Sequence, residues 1–277
     1  MTRDAFRWTE QHVLVTGGTS GIGLAVAREA QRRGARVSVL ARNRRQLTTT
    51  GTDAALLFAA ADVGDCGALA AAAETCTAAH GPVTVLVASA GIVRPGYFLE
   101  LPPDEFERQM RVNYFGMVHS IRAVLPGMQT RRAGHIVGVS SAAGLFGVFG
   151  YSAYSPAKFA VRGLLETLRM ELRPHGIHVS VCYPPDVDTP MLAGEAPYKP
   201  RELVALAGTI APLPVTQVAT AILAGIERRK DVIIPDWQTG LLRRLAAIAP
   251  SLITRYCDHV VARAAARSSA SAPRSNR

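Results

Sequence analysis

The chain has 277 residues, 48% of them hydrophobic and 19% charged, enough to bury a full core and better suited to one large α/β domain than to two small ones. Its formal net charge is +10, yet residues 241–277 carry seven arginines against one aspartate, so most of the excess sits at the C-terminal end. With a mildly basic body and only 6% aromatic residues, a nucleic-acid surface is not expected.

The opening MTRDAFRWTEQ has no apolar run of signal-peptide length and reads as an untargeted start. Cys66, Cys76, Cys182 and Cys257 have neither metal-site spacing nor disulfide density, so a reducing, cytoplasmic setting and no metal are expected. Along the chain, short β-rich runs then alternate with helical patterns. HVLVT leads to IGLAVAREAQRR, then come RVSVL, ALLFAAADV, ALAAAAETCTAAH, VTVLVAS, a helix around residues 105–124, HIVGVSS, and later HVSVCY and DVIIP. Apolar strands separated by helices predict a parallel sheet covered on both faces: an α/β fold with a single Rossmann-type, doubly wound sheet. Residues 1–240 are expected to form this domain and 241–277 a basic amphipathic tail, with SSASAPRSNR, residues 268–277, disordered.

The first strand runs into TGGTSGIG, Thr16 to Gly23, at the mouth of a helix. Small residues let the backbone approach a pyrophosphate, and a helix N-terminus offers unpaired N–H groups and partial positive charge. Gly17, Thr19, Ser20, Gly21, Ile22 and Gly23 are therefore assigned to a dinucleotide. The second strand ends at Ala41 with Arg42 next, where a carboxylate would bind a ribose 2′-hydroxyl. Arginine there suits a 2′-phosphate and favours NADP(H), while Arg44 and Arg45 read as surface charge.

GYSAYSPAKFAV, residues 150–161, predicts a helix start with Pro156 in its first turn and Phe159, Ala160, Leu164, Leu165 and Leu168 as its apolar stripe, closed by Pro174 and Gly176. On that helix Tyr154 and Lys158 stand four apart and share a face, whereas Tyr151 has no lysine at that offset. Taken singly, a helix-start tyrosine, a strand-end serine or a helical asparagine has an ordinary structural role.

Together with VNYFG at 112–116 and VSSAAG at 139–144, the glycine turn and Tyr154-x-x-x-Lys158 fall in an order that resembles the short-chain dehydrogenase/reductase family, over roughly residues 10–235. The resemblance implies that Tyr154 gives the proton, Lys158 assists it and fixes the nicotinamide ribose, Ser141 supplies a second hydroxyl and Asn113 holds a water of the proton relay. It further implies that Asp62 and Val63 contact adenine, that Ala90, Gly91 and Pro184 border the cofactor, and that Thr189 holds the nicotinamide carboxamide. Tyr151 is placed in the substrate pocket beside Ser141 and Tyr154. The lysine ammonium and an oxidised nicotinamide are expected to lower the Tyr154 pKa.

Two departures stand out: Ala88-Ser89-Ala90-Gly91 replaces the family's usual Asn-Asn-Ala-Gly, and Pro184-Pro185 replaces Pro-Gly. YPPDVDTP and GVFGYSAYSPAKFAVRGLLE resemble the branch that reduces the ketone of a long-chain sphingoid base, implying 3-dehydrosphinganine plus NADPH giving sphinganine. The alternatives are a reductase of another lipophilic ketone, steroid or fatty-acyl, and a non-catalytic NADP(H)-binding regulatory protein. The family resemblance also implies a homo-oligomer formed through the helices around Asn113 and Tyr154. The tail, broken at Pro250, suits one or two interfacial helices touching a membrane, or a packing element on the domain.

Overall fold

The computed structural model describes residues 6–44, 47, 51–208 and 211–271. Arg45, the first five residues and residues 272–277 lie outside the described residues. Seven strands form one sheet: β1 (His12–Thr16), β2 (Arg36–Ala41), β3 (Leu57–Ala60), β4 (Val85–Ala88), β5 (Gly134–Val139), β6 (Ile177–Cys182) and β7 (Val232–Ile233). Their order is β3-β2-β1-β4-β5-β6-β7, and every neighbouring pair is parallel. The order reverses between β2 and β4 on either side of β1, which opens a crevice at the carboxyl ends of those strands.

Alternation along the strands divides the core into two layers. Leu14, Leu40, Leu86 and Ile136 point to one face, where α2 (Cys66–His80), α4 (Gly116–Arg131) and α5 (Tyr154–Leu172) cover them. Val13, Val15, Val37, Val39, Val85, Val87 and Val137 point to the other, against α1 (Gly21–Arg32) and α8 (Val215–Glu227). α1 buries Leu24, Val26, Ala27 and Ala30 and stops where Gly34 takes φ +93°. The Asp65 carboxylate caps α2 by accepting from the Ala68 N–H at 3.0 Å, and Gly81 ends it at φ +80°.

The helix predicted around residues 105–124 has three parts: α3 (Pro103–Met110), a π-turn at Arg111–Phe115, and α4. The extra residue of the π-turn, invisible to a 3.6-residue periodicity, turns Asn113 inward, where it is fully buried. α5 keeps its predicted bounds, but its buried stripe is Ala157, Val161, Leu165 and Leu172. Phe159, expected on that stripe, is 40% exposed, because Val161 and Leu165 face β5 and β6 one helical step away.

Of the three histidines in the sheet strands, His12 and His135 are buried. The His12 Nδ1–H donates to the Gly81 carbonyl at 2.6 Å, and its Nε2 meets Ser38 Oγ at 2.8 Å. The His135 Nε2–H donates to Ser180 Oγ at 2.7 Å, while the Ser180 hydroxyl donates to the Lys230 carbonyl at 2.6 Å. Burial pushes His12 down to about 4 and His135 down to about 3, so both are neutral in the fold.

After β7 come α9 (Trp237–Ile248) and α10 (Pro250–Ser271), broken at Pro250 as predicted. α10 packs on α7 (Arg201–Ala207) and near Leu145, Phe146 and Phe149, burying Ile253. It runs to Ser271, beyond residue 268 where the sequence predicts disorder, because the Ala- and Arg-rich run preceding it favours helix. Among the described residues no helix is long and apolar enough to cross a membrane.

Candidate active site

The crevice has an outer and an inner chamber, and Gly17, Ser20, Ala90 and Gly91 line both. The passage between them is made by backbone. Gly17 takes φ +68°, and a Cβ there would stand 2.8 Å from Ala90 Cα, so only glycine keeps the two turns this close. A Cβ on Gly23 would run into the Gly17 carbonyl oxygen. Gly21 takes φ +49° and faces the Thr189 methyl. Ser20 precedes α1 in extended conformation without capping it, which leaves the first N–H groups of that helix for a ligand. Thr19 lines the outer chamber and Ile22 the inner one.

Arg42, Asp62 and Val63 border the outer chamber. Asp62 Oδ1 also accepts from the Gly64 N–H at 2.8 Å, so it shapes its own turn. Arg108 and Arg111, which sequence reasoning did not single out, reach the same chamber from α3 and the π-turn. Arg108 is tied to Glu105 at 2.7 Å. Their helical context gave no sequence signal, because only the topology brings them to the chamber at the ends of the second and third strands.

Asn113 Nδ2 donates to the Ile92 carbonyl at 2.9 Å, and its Oδ1 accepts from the Ile92 N–H at 2.9 Å. This pair braces the turn after β4, where the Ala88-Ser89 departure has removed side-chain amides. Pro184 lines the inner chamber, and its carbonyl accepts from the Ala142 N–H at 2.9 Å. Thr189 lines it too and caps the short helix α6 (Pro190–Glu195), accepting from the Leu192 N–H at 3.4 Å.

Ser141, Tyr151, Tyr154 and Lys158 meet in the inner chamber. Ser141 ends the β5 segment, accepts from the Ala143 N–H at 3.1 Å and is hydrogen-bonded to Tyr154. Lys158 is buried, one turn along α5, with its Nζ 5.5 Å from the Tyr154 ring centroid. It donates to the Val139 carbonyl at 3.1 Å, and burial lowers it to about 8.

The protein surroundings alone raise the Tyr154 pKa, whereas the lowering expected above needs an oxidised nicotinamide beside the phenol. Burial pushes the phenol above its ordinary value; the Ser141 hydrogen bond pulls it down, while the Glu195 and Asp186 carboxylates raise it further. The Lys158 ammonium keeps two N–H donors beyond the one it gives to Val139. Tyr154 is therefore protonated at neutral pH, the form that can give a proton away.

Sequence reasoning also missed the far wall of this chamber. The Tyr151 hydroxyl donates to both Glu195 oxygens at 3.1 Å. Glu195 is only 4% exposed and pairs with Lys199 at 2.9 Å, and Lys199 lies 3.5 Å from Asp186. In MLAGEAPYKP a Glu and a Lys four apart look like an exposed helical pair.

A doubly wound sheet with a glycine turn at its switch point, facing a serine, a tyrosine and a lysine, defines a class: the nucleotide-dependent oxidoreductases. The family model described as short chain dehydrogenase matches residues 11–199, and the chain belongs to that family. A Mus musculus protein named 3-ketodihydrosphingosine reductase is 42% identical over 222 residues, covering 76% of this chain and 67% of the relative. One of the same name from Dictyostelium discoideum is 35% identical over 274 residues, covering 91% of this chain and 81% of its own. The crystal structure of an actinorhodin polyketide ketoreductase with NADPH superposes with a TM-score of 0.74 at 28% identity, covering 82% of this chain and 96% of that one.

Proposed function

We propose that the chain reduces the 3-ketone of 3-dehydrosphinganine with NADPH, giving sphinganine. What carries the reading is the convergence of Ser141, Tyr154 and Lys158 in one chamber, in a chain 42% identical to a protein named for that reaction. The cleft fits NADP(H): the Gly17–Ala90 cradle has no room for a Cβ, the start of α1 is uncapped by Ser20, and Arg42 borders the outer chamber. Gly17, Thr19, Ser20, Gly21, Ile22 and Gly23 would hold the pyrophosphate, Asp62 and Val63 the adenine, and Arg42 the 2′-phosphate. Ala90, Gly91, Lys158, Pro184 and Thr189 would border the nicotinamide half. When bound, the cofactor supplies a hydride to the carbonyl carbon.

In this reading Tyr154 and Ser141 both donate to the carbonyl oxygen, and Tyr154 releases its proton as charge develops there. Lys158, buried and cationic, favours the resulting phenolate. Asn113, held against Ile92, positions the water that returns the proton. Tyr151 lines the chamber, its hydroxyl committed to Glu195.

Two further parts belong to the proposal. Residues 1–240 act as the catalytic unit, and the tail from 241 rests on an anionic lipid surface: Leu241, Ile248, Leu252 and Tyr256 are exposed among Arg243, Arg244 and Arg255, with Trp237 beside them. Exposed Phe115 and Phe159, on the π-turn and α5 respectively, supply the face for a second copy of the chain.

The test is NADPH oxidation with 3-ketodihydrosphingosine beside a steroid ketone. Sphinganine formation with the first and no turnover of the second is expected. Turnover of the steroid alone makes the chain a reductase of a different lipophilic ketone, and turnover of neither favours a binding protein.

A further inference from the structure

We propose that Asp186, on the wall it shares with Glu195, seats an ammonium group, so that the chamber selects ketones bearing an amine on the carbon next to the carbonyl. The inference rests on the reduction reading above and names what the inner chamber recognises besides the ketone. Both carboxylates line the chamber that holds Tyr154 and Ser141. They share one partner cation: Lys199 stands 2.9 Å from Glu195 and 3.5 Å from Asp186. Glu195 is saturated, since it also accepts from Tyr151 and is buried, whereas the Asp186 side chain is 40% exposed. Among the described residues, no second cation forms an ion pair with these two carboxylates. Lys158 does not pair with them, its ammonium being turned to the Val139 carbonyl and toward Gly91.

The backbone holds Asp186 in place. Its carbonyl accepts from the Leu213 N–H at 2.9 Å, and the Asp188 N–H donates to the Leu213 carbonyl at 3.0 Å, so the loop after β6 is fastened on both sides of Val187. Pro184 and Pro185 stiffen the same loop. A carboxylate on the wall of the chamber gives nothing to a neutral ketone, which would have to strip its water. To an ammonium it offers a charge-assisted hydrogen bond.

The chemistry of the reacting group sets where that cation must be. In a 2-amino-3-ketone the nitrogen is one carbon–carbon bond from the carbonyl carbon. When the carbonyl oxygen accepts from Tyr154 and Ser141, the ammonium lies in the same chamber, within reach of the field that Glu195 and Asp186 already exert on Tyr154. There it screens the two carboxylates and so eases the loss of the Tyr154 proton. The amine should therefore raise kcat as well as lower KM.

The experiment uses the full chain, NADPH and two ketones of equal chain length: 3-ketodihydrosphingosine and its analogue lacking the 2-amino group. The wild-type chain is expected to prefer the amino ketone by at least about tenfold in kcat/KM, the size of one charged hydrogen bond. Asp186→Asn, nearly isosteric and at a half-exposed site, should lose about that factor of preference in kcat/KM, divided between a lower kcat and a higher KM, with NADPH affinity serving as its check of folding. Because Glu195→Gln also cuts the buried links to Lys199 and Tyr151, Asp186→Asn carries the test. Equal turnover of the two ketones by the wild-type chain, or an undiminished preference in Asp186→Asn, overturns the inference while leaving the reductase reading standing. Failure to reduce either ketone overturns the reductase reading and this inference with it.

Discussion

The two chambers of the cleft are built from different materials. The passage into the outer chamber is backbone, with Arg42, Asp62 and Arg111 bordering the chamber beyond it: Gly17, Ser20, Gly21 and Gly23 fall within seven consecutive residues and leave space by having small side chains or none. The wall of the inner chamber is made of side chains from distant segments, Tyr151 and Glu195 being 44 residues apart. A backbone cradle is steric and strict, and its tolerance is set by tenths of an ångström. A side-chain wall is electrostatic, and its selectivity follows the balance of charges. The first suits a cofactor that does not change; the second suits a substrate that differs between relatives.

Acid tests whether the two chambers stand on one floor, since His12 lies in β1 below the passage and His135 in β5 below the catalytic residues. Their folded pKa values, about 4 and about 3, lie below the ordinary 6.5, so the unfolded chain binds more protons between these limits. Their contribution is complete above pH 6.5 and falls away as pH drops toward 4. Denaturant unfolding should show a loss of roughly 2 kcal/mol per histidine between pH 7 and pH 5, ahead of most carboxylate titration. A flat profile over that range would mean that neither histidine is held neutral.

The steric side of the comparison is sharpened by Gly23→Ala. Its methyl group meets the Gly17 carbonyl and must push the turn aside, at a cost of about 1–3 kcal/mol of overpacking, or more. NADPH affinity in a fluorescence titration should fall by tenfold to a hundredfold while circular dichroism shows the fold intact. Unchanged affinity breaks the backbone account. Arg42→Ala tests the one side chain to which that chamber's specificity is assigned. It should weaken NADPH by roughly 1.5–3 kcal/mol and leave NADH nearly unaffected. An equal loss for both would make Arg42 a surface charge only, with Arg108 and Arg111 also bordering the same chamber.

The same division explains what was legible in the sequence. The parallel sheet could be read because its strands are apolar on both faces, and the glycine turn because its constraint is local. Tyr154 and Lys158 could be read because one helical turn joins them. Asn113 could be placed only by motif, since its inward turn depends on a π-helical residue that no periodicity marks. The Phe159 error had a similar origin: five apolar residues fitted a stripe, but the sheet chose the one through Val161. Glu195, Lys199 and Asp186 could not be read as a unit, because nothing along the chain says that α6 folds over Tyr151. The rise in the Tyr154 pKa follows from that same hidden wall and from burial.

The central claim is that Tyr154, and not the neighbouring tyrosine whose ring centroid lies 5.2 Å from its own, gives the proton. The most direct measurement compares NADPH-dependent ketone reduction by Tyr154→Phe and Tyr151→Phe, each at saturating NADPH. Tyr154→Phe should lose at least the ~10²-fold typical of a general acid while still binding NADPH. Tyr151→Phe should keep turnover within about tenfold of the wild-type chain, because its hydroxyl only completes the hydrogen bonds of Glu195. The reverse order, with Tyr151→Phe inactive and Tyr154→Phe active, would contradict the account.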